Sequence, residues 1–116
     1  MKTVILFRPT GPEELNLVKQ SSYKEWPPRL PEQPIFYPVL DEEYAIQIPR
    51  DWNAKECGFG YVTRFEVDAN YLVQFEVQKV GGHNHLEYWI PAEELGTFNQ
   101  NIIGEIHVIH EFRNND

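Results

Sequence analysis

The sequence predicts an α+β domain, and three observations predict it. Two helix starts fall in the first half of the chain, at Thr10–Pro12 and at Asp41. Two segments of the second half alternate apolar and polar residues with a period of two, as strands with one buried and one wet face do. The elements lack the regular strand–helix alternation of a parallel doubly wound sheet.

Taken in order, "TVILF" (3–7) is a short continuous apolar run of the kind a buried strand makes. In "TGPEEL", Thr10 is placed to cap a helix, Pro12 suits its first turn, and Glu13 completes a capping box. Leu15 and Val18 give that helix an apolar face, and it ends near Ser21. "WPPRLPEQP" (26–34) holds four of the nine prolines and reads as a stiff extended loop. "IFYPVL" (35–40) reads as a short strand in which Pro38 marks an edge or a bulge. Asp41 is a good N-cap for "EEYAIQI", whose acidic first turn suits the helix dipole, and Pro49 stops or kinks that helix.

The second half carries strands at 61–67 and 71–80, where Tyr71, Val73, Phe75 and Val77 oppose Gln74, Glu76 and Gln78. A strand at 86–90, a short helix in "PAEELGTFNQN" and a last strand at 105–112 follow. The expected domain is 1–112, with "RNND" (113–116) as a disordered tail.

A chain of 116 residues fits one such domain. A net charge of −8 argues against nucleic acid or an anionic membrane as partner, because both demand clustered Lys and Arg. The lone Cys57 cannot close an internal disulfide, the N-terminus has no signal-peptide core, and no apolar run is long enough to span a membrane. A soluble, cytoplasmic protein is the expectation.

The chemistry-bearing residues concentrate in "GGHNHLEYWIP" (81–91). His83 and His85 have the spacing that puts two strand residues on one face, and a metal there needs a further ligand such as Glu87 or Cys57. No spaced Cys/His set exists elsewhere, so loop histidines facing solvent or a ligand are expected, and no metal. Most acidic residues decorate helix starts or wet strand faces. Glu87 differs: Leu86, Tyr88, Trp89 and Ile90 crowd it, so it lies either on a solvent face or in a cleft. Arg8 ends a buried strand beside a helix start and Gly11, where a guanidinium is either an anion anchor or a surface cation. There is no P-loop, no dinucleotide fingerprint and no nucleophile elbow.

Three segments, "LFRPTGPEEL", "PPRLPEQPIFYPVLDEEYAIQIPRDWN" and "GYVTRFEVDANYL…EYWIPAEELGTFNQNIIGEIHVI", resemble a group of short bacterial proteins labelled ADP-ribosylation/crystallin proteins. The layout is similar to the ADP-ribosyltransferase superfamily: an early strand with Arg or His, a second strand with Tyr or Ser, and a late strand opening with the catalytic Glu. The resemblance implies a split, mostly antiparallel sheet with two to three short helices. It matches Arg8, Tyr37 and Glu87 to the catalytic positions and implies that NAD is bound, as substrate, by Arg8, Thr10, Gly11, Phe36, Tyr37 and Trp52. His83, Asn84 and His85 become an acceptor-recognition loop. Arginine-directed members carry Glu or Gln two residues before the catalytic Glu, where this chain has His85, and Pro9 and Pro38 also depart from the usual pattern. The implied activity is ADP-ribosyl transfer or cleavage of the nicotinamide–ribose bond. The alternative is a non-catalytic binding module on the same fold, acting on a protein partner or as an accessory to a toxin or defence system.

Overall fold

A computed structural model describes residues 2–48, 59–81 and 85–113 and shows an α+β protein. In chain order it has β1 (Thr3–Thr10), α1 (Pro12–Gln20), β2 (Ile35–Phe36), α2 (Glu42–Ile48), β3 (Phe59–Asp68), α3 (Ala69–Leu72), β4 (Val77–Lys79), β5 (Leu86–Tyr88) and β6 (Ile90–Pro91). A 3₁₀ turn (Ala92–Glu94), α4 (Leu95–Gln100) and β7 (Ile102–Arg113) complete the described elements. Trp52 and Cys57, with His83 and Asn84 of the glycine-led loop, lie outside the described residues, as does the tail beyond Arg113. Among the described residues, no helix is long and apolar enough to cross a membrane.

The main sheet has the order β1-β3-β7, antiparallel throughout, and β4 pairs antiparallel with β5. Val39 joins these two parts. Its N–H and C=O exchange 2.8 Å hydrogen bonds with Phe7 of β1, while Leu40 N–H and Pro38 C=O bond to Leu86 and Tyr88 of β5. One residue thus acts as a strand. The alternation of a strand explains why: with Phe7 aiming its backbone at Val39, Pro9 also aims away from β3, where its missing N–H breaks no ladder bond. Strand β7 bulges twice against β3, and Gly104, at φ 81°, sits in the second irregularity, in a region that glycine enters freely.

The main sheet packs apolar residues on both faces, Leu6 on one and Phe7 on the other, while Ile5 is 41% exposed. One face carries Leu6, Phe65 and Val67 with Trp26, Phe36, Leu95 and Phe98; the other carries Phe7, Val39 and Val62 with Ala45 of α2. Asn99 of α4 ties down the proline-rich loop by taking the Trp26 N–H at 2.9 Å and giving its amide to the Trp26 carbonyl at 3.0 Å. Residues 26–34 contain no helix or strand, as their prolines require.

Asp41 caps α2 as expected, its Oδ1 accepting the Tyr44 N–H at 2.9 Å. Asp41→Ala is expected to lower stability by about 1 kcal/mol, read as a shift of the urea midpoint at constant slope.

Other expectations fail. Thr10 does not cap α1: Gly11 holds that position without a side-chain bond, because β1 runs on to pair Thr10 with Tyr61 and the Thr10 hydroxyl turns back to the Arg8 carbonyl at 3.3 Å. The strand expected at 71–80 shrinks to Val77–Lys79. Asp68 Oδ1 accepts the Asn70 N–H at 2.9 Å and starts α3, so Leu72 is buried while Val73 is 80% exposed, and alternate residues no longer share a face. The strand at 86–90 is split at Trp89, β5 pairing with β4 and β6 with β2. The strand at 35–40 reduces to β2 and the Val39 bridge, with Pro38 between them.

Tyr71, in α3, packs edge-on to Phe75 and Phe98, and its hydroxyl meets Glu94 at 3.2 Å. Burial, then the Glu94 carboxylate, pushes its phenol up to about 12. An unfolded tyrosine loses its proton near pH ~10, so this contribution is whole below that pH and is lost as pH rises toward the folded value. Tyr71→Phe should therefore flatten the fall of melting temperature above about pH 10 relative to wild type.

Candidate functional site

The candidate site forms where β1, the proline-rich loop, the Val39 bridge and β5 meet. A cleft of about 380 Å³ is lined by Arg8, Pro9, Arg29, Tyr37, Val39 and Glu87. The three residues matched to catalytic positions, far apart in the sequence, share this cleft. The single-residue bridge brings them together, since Val39 touches β1 beside Arg8 and stands opposite Glu87 on β5.

Arg8 is largely buried and paired. Its Nε and Nη2 donate to the two oxygens of Glu14, in the first turn of α1, at 2.9 Å each. Its guanidinium carbon lies 4.5 Å from the Phe36 ring centre and 5.5 Å from that of Trp26, and Thr63 Oγ1 donates to its carbonyl at 2.9 Å. Such a bidentate, aromatic-backed arrangement fixes a guanidinium firmly.

Glu87 is 8% exposed. Trp89 Nε1 donates to its Oε1 at 2.7 Å, and the Tyr44 hydroxyl donates to its Oε2 at 3.4 Å. Burial, then the Glu87 carboxylate, pushes the Tyr44 phenol up, so it stays a donor. The Tyr44 ring stacks on His85 with centroids 4.2 Å apart and planes 15° from parallel. Tyr37, 40% exposed, lines the cleft and meets the Trp89 ring edge-on at 6.4 Å. Arg8 and Arg29 lie against the Phe36 ring with Glu14 beside them, whereas the Glu87 carboxylate lies between Trp89 and Tyr44.

The other candidates are placed as follows. Phe36 is buried in the core and meets the site as the surface on which Arg8 and Arg29 rest. Thr10 is buried with its hydroxyl on its own strand, and Gly11 lines a separate groove between α1 and the proline-rich loop. Of the acceptor-loop residues, His85 backs Tyr44. Among the described residues no three of His, Cys, Asp and Glu cluster as metal ligands.

Sequence reasoning missed Arg29, Tyr44 and Trp89. Trp89 was findable, because residues two apart on a strand share a face. Arg29 carried a weaker signal, a lone cation fixed among prolines. Tyr44 carried none, since only the docking of α2 brings it to β5.

No protein-family model, no curated protein and no solved structure matches the chain.

Proposed function

We propose that the cleft binds NAD and that the protein cleaves the nicotinamide–ribose bond, handing ADP-ribose to water or to an acceptor. One observation carries this reading: Arg8, Tyr37 and Glu87 line one cleft, with Glu87 buried and held by two donors. As the bond breaks, its electron pair leaves with nicotinamide and positive charge develops on the ribose. The Glu87 carboxylate, hydrogen-bonded to a ribose hydroxyl, stabilises that charge, while the nucleophile's oxygen forms the new bond and sheds its proton. Trp89 and Tyr44 fix the carboxylate before the substrate arrives, so no reorganisation is needed at the moment of reaction. The exposed face of Tyr37 offers the nicotinamide ring a stacking surface.

A second reading, a non-catalytic module recruiting a protein partner, is favoured by one contact: the arginine at the first motif position is already engaged by both oxygens of Glu14. Calorimetric titration with NAD, followed by chromatography for free nicotinamide, separates the two. A nucleotide site gives heat of binding and, at a hundredfold excess over Kd, about 2.7 kcal/mol of added stability. A module without the pocket gives no heat, no rise in melting temperature and no nicotinamide.

A further inference from the structure

Two cations that line the cleft, Arg8 and Arg29, share one carboxylate, Glu14. Glu14 spends both oxygens on Arg8 at 2.9 Å, and its Oε1 stands 3.6 Å from Arg29 Nη1, beyond hydrogen-bond reach. Arg29 is nine-tenths buried, and its Nε is sealed from solvent with no partner. Among the described residues its guanidinium makes no hydrogen bond. It shares the Phe36 ring with Arg8, at 5.9 Å against 4.5 Å. Burial, then the neighbouring Arg8, lowers its pKa, as befits a cation short of partners. A buried cation left incompletely paired is costly to the fold, and a ligand that completes its shell recovers that cost. Arg29 lines both the cleft and the groove along α1, so it stands on the wall between them.

We infer that Arg29, and not the motif arginine Arg8, takes a phosphate oxyanion of the ligand, while Glu14 holds Arg8 as part of the wall. A singly charged phosphate oxyanion neutralises the excess charge, and its oxygens match the planar fork of a guanidinium. The phosphate identity rests on the nucleotide reading above; the anion site rests on Arg29 itself.

The test is calorimetric titration of the full chain with inorganic pyrophosphate and, separately, with NAD. Wild type, Arg29→Met, Arg29→Lys and Arg8→Met are compared. Wild type is expected to bind pyrophosphate, and Arg29→Met to bind it roughly 10- to 100-fold more weakly. Arg29→Lys keeps the charge without the fork, and should lose about tenfold, which keeps the test open if the methionine variant does not fold. Without ligand, Arg29→Met should melt no lower than wild type, whereas Arg8→Met should melt lower because it removes both hydrogen bonds to Glu14. Wild type that ignores pyrophosphate, or binding unchanged in both Arg29 variants, overturns the inference. NAD bound equally by wild type and the Arg29 variants removes Arg29 from its role and leaves the NAD reading standing. Pyrophosphate bound through Arg29 without any NAD binding does the reverse.

Discussion

Glu87→Gln should lower nicotinamide release from NAD by roughly 100- to 1,000-fold, with the loss in kcat. Glutamine keeps the size of the side chain, and its amide oxygen still accepts from the Trp89 indole, which donates at 2.7 Å in the wild type. What disappears is the negative charge. Since that charge matters most when the ribose becomes cationic, its removal raises the barrier far more than it weakens binding of the ground state. A melting temperature close to wild type shows that the fold tolerates the change. Release that continues at the wild-type rate removes Glu87 from the reaction.

Phe36→Ala should cost about 3–5 kcal/mol of stability, a large share of what a domain of this size possesses. Phe36 is 1% exposed and packs its ring 5.6 Å from Trp26 and 5.4 Å from Phe98. Truncation empties the centre of the aromatic cluster and removes the surface under Arg8, so the Arg8–Glu14 pair loses its backing as well. Urea unfolding measures the effect, and Phe36→Leu, which refills most of the space, should recover more than half of it. A cost below about 1 kcal/mol would show that the cluster collapses onto the gap.

How much of this was legible in the sequence depends on how local each cause is. The cap at Asp41, the proline-rich loop and the α+β class follow from neighbouring residues, and the sequence carries them openly. The segment 71–80 misled because its alternation is real while Asp68 and Asn70, just upstream, set a helical turn first. Thr10 misled because its fate was decided by strand β3, which comes half a chain later. At the site, the crowding of Glu87 by aromatic residues was visible. Its partner Tyr44 and the incompletely paired Arg29 were not, since both reach the cleft only through packing between distant segments.

Pro9 and Pro38 first stand out as departures next to two motif residues, and the Val39 bridge gives them another meaning. A contact one residue long is easily misaligned while the chain folds. If Pro38 slipped opposite Phe7, the Phe7 carbonyl would find no N–H to accept from; if Val39 slipped opposite Pro9, its own carbonyl would be stranded. Each error leaves an unpaired polar group at a cost of about 1–3 kcal/mol where the site is buried. The two prolines thus act as a proofreading key for the joint, rejecting the slips that would set Arg8 and Glu87 out of step.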